Sequence, residues 1–255
     1  MAVGQGYSVM NSFLVQFEWA PGVYGALCND RFVILKASDD EYLSMSVESS
    51  VFLSKILREV FVKNGLEYSS EFNSCDGLYI SQHIILFIKN GLIVEAACRQ
   101  RNNRVASPKI AGGIKVREWV SDIKIEHKVK KTLVIKSFYL LLKVHRVIKR
   151  DKIKGILSLL QTVESKIPRF SYSKSEELSA AVEAASFFYP KKTMCLAFAA
   201  TLALLHKKQG LNCDFVIGVQ NLPFYAHAWV QVQGKVVNDR EELNIKLAPI
   251  LFLSV

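Results

Sequence analysis

The sequence predicts an α+β protein of 255 residues built from two units in series. Three observations carry that expectation. Short strand-like runs open the described chemistry of the first hundred residues, and helical runs follow them. A polar, turn-rich stretch, Gln100-Arg101-Asn102-Asn103-Arg104 with Pro108 and Gly112-Gly113, then interrupts the pattern. The last third sets an Ala/Leu-rich helix before Val-rich segments of strand length. Half of the residues are apolar, which suits a packed globular chain.

In the first unit, Tyr24–Cys28, Phe32–Lys36 and Glu41–Ser44 read as strands split by Asn29-Asp30 and Asp39-Asp40. A helix is expected over Val47–Lys63, with Val51, Phe52, Ile56, Val60 and Phe61 on one side and Asn64-Gly65 as its stop. A second apolar helix, Ile80–Lys89, stops at Asn90-Gly91, and Leu92-Ile93-Val94 follows. The segment from Glu67 to Gly77 is polar and a poor helix former. The boundaries are therefore a first domain over residues 1–98, a linker over 99–113 and a second domain over 114–255.

The net charge of +10 is concentrated. Between Pro108 and Arg150 stand twelve Lys and Arg against Glu118, Asp122 and Glu126, a local balance of +9. Ile125–Lys149 reads as a basic amphipathic helix, with Val129, Leu133, Ile135, Tyr139, Leu142 and Val147 as its apolar positions. A solvated face, an acidic partner or an anionic lipid surface each accounts for such a helix. Nucleic acid is disfavoured because no base-reading motif accompanies the charge. A further helix, Lys152–Ser165, precedes Pro168, and Ser173-Lys174-Ser175-Glu176 fits a capping box for a helix running to Ser186. The five cysteines form no CxxC pair, so neither a disulfide framework nor a zinc site is expected. A reducing cytoplasm fits that usage. No apolar stretch has the length of a membrane span, and Met1–Gln16 lacks the basic start of a secretory signal.

Cys195, His227 and Asp239 follow one another in the order that a thiol nucleophile, its base and an orienting acid require. Cys195 opens the run Thr193–Leu205, which stops at Lys207, Lys208 and Gly210 and reads as a buried helix. A thiol there faces the positive end of the helix dipole, which favours thiolate. His227 lies in the strand-like Tyr225–Val232, and Asp239 ends Lys235–Asp239. The turn at Gln233-Gly234 decides whether the two meet. A two-residue loop sets Asp239 opposite Ala228. A three-residue loop, Val232–Gly234 with Gly in the left-handed position, sets Gln231 against Lys235, Trp229 against Val237 and His227 against Asp239. Trp229, on the His227 face, either roofs a cleft or packs in the core. The backbone N–H of Cys195 is a candidate oxyanion donor, and the sequence offers no second.

The segment as a whole resembles a known family. Cys195 and its helix, Val216-Ile217-Gly218-Val219, Pro223-Phe224-Tyr225-Ala226-His227-Ala228-Trp229-Val230 and Gly234-Lys235-Val236-Val237-Asn238-Asp239 together look like the maturation protease of lasso-peptide biosynthesis, the B protein, over roughly Ser175–Val255. The resemblance implies a transglutaminase- or papain-like cysteine protease domain with Cys195, His227 and Asp239 as its triad. It implies removal of the leader from a ribosomally made precursor and transfer of the core peptide to a lasso cyclase, an asparagine-synthetase-like enzyme that uses ATP. No cofactor of the protein itself follows, and any need for ATP would enter through that cyclase.

The first unit is similar in pattern to the small winged-helix-like peptide-recognition domain of ribosomal-peptide pathways. That likeness implies a leader peptide added as a strand beside Tyr42, Leu43 and Ser44, over a floor of His83, Ile84, Phe87 and Ile88. Holding the leader at a distance from the cleft would raise the local concentration of the scissile bond. Two other readings stay open. One is an acyltransferase or amidase on the same transglutaminase-like scaffold. The other is a precursor-binding module without catalysis.

Overall fold

The computed structural model describes residues 17–57, 61–63, 66–68, 77–96, 129–161, 169–190 and 193–255. The linker expected over 99–113 and the first part of the basic segment lie outside these residues. The chain begins with β1 (Phe17–Trp19), β2 (Val23–Cys28), β3 (Arg31–Lys36) and β4 (Glu41–Ser44), then α1 (Val47–Leu57), β5 (Phe61–Lys63), β6 (Leu66–Tyr68), α2 (Gly77–Lys89) and β7 (Ile93–Glu95). The second part runs α3 (Lys131–Gln161), α4 (Tyr172–Phe187), α5 (Cys195–Lys208), β8 (Asp214–Gln220), β9 (Tyr225–Val232), β10 (Lys235–Val236), α6 (Leu243–Lys246) and β11 (Ala248–Ser254). Mixed α and β content is therefore as expected.

The strands β2, β3 and β4 form an antiparallel meander with β4 at its edge. Asn29 and Asp40 make its two turns with positive φ, 60° and 58°, a conformation that short polar side chains tolerate. The helix expected over Val47–Lys63 ends at Leu57. Phe61–Lys63 is instead a strand paired with Leu66–Tyr68, Lys63 opposite Leu66. Asn64-Gly65, expected as the helix stop, lies outside the described residues.

Helix α3 joins end to end the two helices expected on either side of residues 149–152. It bends at Lys152, whose φ of 54° is left-handed. The strain is held by tertiary contacts to the β3–β4 turn. Lys152 Nζ donates to the Asp39 carbonyl at 2.6 Å, and the Lys154 N–H donates to the Ala37 carbonyl at 3.1 Å. The buried stripe of α3 is Leu133, Ser137, Leu140, Leu141 and Val144. Of the apolar positions read from sequence, Leu133 is buried and Val129 and Val147 pack on the main core, whereas Ile135 and Tyr139 are 56% and 67% exposed among the lysines. Lysine stems make such a face ambiguous to a pattern search. Helix α4 is capped by Ser171, whose hydroxyl accepts from the Lys174 N–H, and not by Ser173. No helix of the described residues is long and apolar enough to cross a membrane.

The second sheet is antiparallel in the order β10-β9-β8-β11. Helix α5 lies against β9, α3 and α4. Its alanines at 197, 199, 200 and 203 are buried and allow close approach. The two units are not separate bodies. Ala26, Cys28, Val33, Leu35 and Ala37 belong to the same core as α3, α5, β8 and β9. Phe32 and Ile34, on the other face of β3, pack with Leu53, Ile56, Phe87 and Ile93 in a smaller core. Strand β3 is buried on both sides, which explains its unbroken Phe-Val-Ile-Leu run.

Candidate active site

Cys195 begins α5 after Met194, which is extended and supplies no side-chain cap. The first N–H groups of the helix are therefore not satisfied by a cap and point outward at the N-terminus. His227 lies on β9 opposite Gly218 of β8. A Cβ at Gly218 would stand 2.5 Å from the Trp229 ring, so glycine lets the indole fill that space. Trp229 is fully buried with Val216, Val236, Leu243 and Leu247. It packs in the core and does not roof the cleft. Strand alternation places Tyr225, His227 and Trp229 on one face. The Tyr225 and His227 ring centroids are 5.7 Å apart, and those of His227 and Trp229 6.4 Å.

Asp239 reaches His227, but not by the register expected. Lys235 pairs with Val232 and Val236 with Gln231, so the loop has two residues. Gln233 and Gly234 both have positive φ, 51° and 81°, as a type I′ turn demands. The matching twist of that turn outweighs the preference of Gln for ordinary φ. The His–Asp contact survives because β10 stops at Val236. The chain then bends, with Asn238 Oδ1 accepting the Val230 N–H at 2.7 Å. Asp239 Oδ1 accepts the Arg240 N–H at 2.8 Å, and Oδ2 lies 2.7 Å from His227 Nε2.

This contact fixes the imidazole. Nε2 donates to the carboxylate, so in the neutral ring Nδ1 carries the lone pair. Burial lowers the His227 pKa, but hydrogen bonds to Asp239 and Cys195 and their negative charges outweigh it and raise it to about 9. Burial pushes the Cys195 thiol up. The hydrogen bond and charge of His227, with the backbone N–H groups of Ala228 and Leu196, bring it below its ordinary value. The arrangement stabilises a thiolate–imidazolium pair. Cys28 and Cys213 are opposite cases: burial pushes both up, Cys28 to about 12, and they serve the core. Cys75 and Cys98 lie outside the described residues.

Sequence reading did not find Tyr225, whose hydroxyl lies 2.9 Å from His227 Nδ1. Period-two alternation from His227 was the signal available. Nor did it find the rim contributed by the β8–β9 loop. Ser44 Oγ donates to Asn221 Oδ1 at 2.8 Å, and the Tyr42 and Phe224 rings are 5.5 Å apart. Tyr42 is close enough to Cys195 that its charge, after burial and Asp40, helps to raise the phenol pKa. Strand β4 therefore lies against the loop that leads into the His227 strand.

The expected groove residues divide. Tyr42 packs on the main core and Leu43 on the smaller one. His83 stacks on Phe52 at 4.6 Å. Phe87 is only 3% exposed and Ile84 packs against the same small core, so these two do not line an open groove. Helix packing claimed them, because their face of α2 is the one turned to α1 and β7. Ile88 is 42% exposed, as are Ile85 at 64% and Leu86 at 51%, neither of which was anticipated.

Residues 138–251 match the family described as the transglutaminase-like superfamily. The chain is 37% identical over 59 residues to the Microcin J25-processing protein McjB of Escherichia coli, a match covering 23% of this chain and 28% of that protein. No solved structure matches significantly. The C-terminal part of this chain, holding Cys195, His227 and Asp239, is thus similar to the transglutaminase-like superfamily and, over a short stretch, to a protein named for processing microcin J25.

Proposed function

We propose that this protein is a cysteine peptidase that removes the leader of a ribosomally made lasso-peptide precursor. The observation that carries the reading is the cleft itself: a thiol of lowered pKa at a helix N-terminus, beside a histidine held at 2.7 Å by a carboxylate. Cys195 Sγ bonds to the scissile carbonyl carbon while the carbonyl electron pair moves to oxygen. The proton on His227 Nδ1 passes to the leaving amine as the C–N bond breaks. His227 then deprotonates a water that releases the acyl group, and Asp239 keeps the tautomer throughout.

Recognition is assigned to β4. It is the edge of its sheet among the described residues, so its outer backbone can pair with an extended peptide. Because Tyr42 and Ser44 touch the rim residues Phe224 and Asn221, the leader would run directly into the cleft. The released core would pass to an ATP-using cyclase, the partner implied by the lasso-peptide likeness.

The test is incubation of full-length protein with a precursor, read by mass spectrometry with and without an added primary amine. Hydrolytic release of the leader is expected, and Cys195→Ala removes it. An amide product in place of the acid supports the acyltransferase on the same scaffold. Undiminished cleavage by Cys195→Ala would overturn the mechanism.

A further inference from the structure

The chemistry at Cys195 leaves the basic stretch before the bend of α3 without a role. From Lys131 to Arg150 that helix carries Lys131, Lys136, Lys143, Arg146, Lys149 and Arg150, and no Asp or Glu. All of these cations are exposed. At about 100° per residue they fall within an arc of about 140°, together with Ile135 and Tyr139. The positions buried before the bend, Leu133, Ser137, Leu140, Leu141 and Val144, fill an arc of about 100° on the opposite side. The buried arc meets the core around α4 and α5, so the cationic arc is turned away from the helix that Cys195 opens.

Two features separate this arc from an ordinary solvated face. A helix kept in water commonly interleaves both signs of charge. Here one sign runs for about 30 Å of helix, and among the described residues only Arg150 of the six forms an ion pair, with Asp151. The positive surface continues past the bend, where Lys143, Arg150, Lys152 and Lys154 line a cavity of about 590 Å³ with Asp151 as its one acid. The second feature is apolar. Ile135 and Tyr139 stand near the middle of the arc and are 56% and 67% exposed. Large apolar side chains bracketed by Lys and Arg are the pattern of a helix that lies in a membrane interface. The choice of cation points the same way. Four of the six are lysines. The cores of protein–protein interfaces favour Arg and are depleted of Lys, whereas attraction to lipid headgroups counts charge alone.

We propose that the outer arc of α3 docks this protein on an anionic lipid surface, with Ile135 and Tyr139 entering the headgroup layer between the cations. This holds whether or not Cys195 acts as a peptidase.

The experiment sediments the full-length protein with vesicles of phosphatidylcholine alone, or of phosphatidylcholine with about one third phosphatidylglycerol. Wild type should bind the anionic vesicles at least about tenfold more tightly, and should leave them near 1 M salt, where the Debye length falls to about 3 Å. Near such a surface each cation is worth roughly fivefold, so Lys136→Gln/Lys143→Gln/Arg146→Gln should weaken binding on the order of 100-fold. Ile135→Ser/Tyr139→Ser keeps the charge and should weaken binding by about tenfold. The replaced side chains are all exposed, so both variants should melt as wild type does, which calorimetry checks.

Absence of wild-type binding to anionic vesicles, or equal binding to neutral ones, would overturn the proposal. So would undiminished binding by the charge variant. Undiminished binding by Ile135→Ser/Tyr139→Ser would overturn it too, because a solvated face drawn by charge alone needs neither side chain. Polyglutamate bound as tightly as the anionic vesicles, by wild type and Ile135→Ser/Tyr139→Ser alike, would reassign the arc to an acidic protein partner.

Discussion

Gly218→Ala tests how His227 is supported. Gly218 is the cross-strand neighbour of His227, and its face is covered by the Trp229 indole. The added methyl would lie 2.5 and 2.6 Å from two ring carbons and 3.0 Å from Leu247 Cβ. Ordinary carbon contacts lie near 3.5–4.0 Å. The shortfall is close to an ångström, and neither neighbour has space to yield, since Trp229 and Leu247 are fully buried. Overpacking of this kind costs about 1–3 kcal/mol. For a chain of this size that lowers Tm by roughly 2–12 °C, at about 2–4 °C per kcal/mol. The ring that must shift is the one beneath His227, 6.4 Å between centroids. Cleavage should therefore fall by more than the loss of folded protein explains, because the imidazole leaves its line to Asp239. Calorimetry and kcat/KM on the same sample measure both. An unchanged Tm would refute the packing argument, and lowered Tm with full kcat/KM would refute the coupling of Trp229 to His227.

Four further outcomes follow from the same geometry. Cleavage should rise with pH as the lowered Cys195 thiol ionises and fall as His227, raised to about 9, loses the proton owed to the leaving amine. Alkylation of Cys195 should show the first limb only, and cleavage still rising at about pH 10 would contradict this assignment. Leu35→Ala, in the core common to both units, should cost about 2–5 kcal/mol and lower hydrogen-exchange protection of β2 and β8 together; loss confined to β2 would indicate independent domains. Gly234→Val, at a φ of 81°, should destabilise by at least about 1–2 kcal/mol in a urea melt, whereas Gln233→Asn should stabilise the hairpin. Four residues inserted in the precursor between its leader and its cleavage point should displace the cut or slow it strongly, since β4 lies against the loop that leads into the His227 strand; unaltered cleavage would favour a loose tether.

The sequence by itself determined what short-range chemistry dictates. The Ala/Leu run after Cys195 could be little other than a buried helix, and its first residue is where a thiol gains from the helix dipole. The meander at residues 23–44 was legible from Asn29-Asp30 and Asp39-Asp40, because few residues accept its turn conformations. The strings around His227 and Asp239 pointed to two residues that the fold brings together even where the register argument failed. A two-residue turn and an early end to β10 produced the same contact that a three-residue loop was thought to require.

What the tertiary structure decided is everything that depends on which of two apolar faces finds a partner. Phe87 and Ile84 were claimed by the small core, leaving Ile85, Leu86 and Ile88 outside. Ile135 and Tyr139 stayed exposed because the opposite stripe of α3 met α4 and α5. The run Phe32–Leu35 of β3, apolar throughout, did not reveal that its alternate residues serve two cores and so pack the N-terminal meander against the helices and sheet that hold Cys195 and His227. Burial is a property of pairs of surfaces far apart in the chain, and a local pattern specifies only one member of each pair.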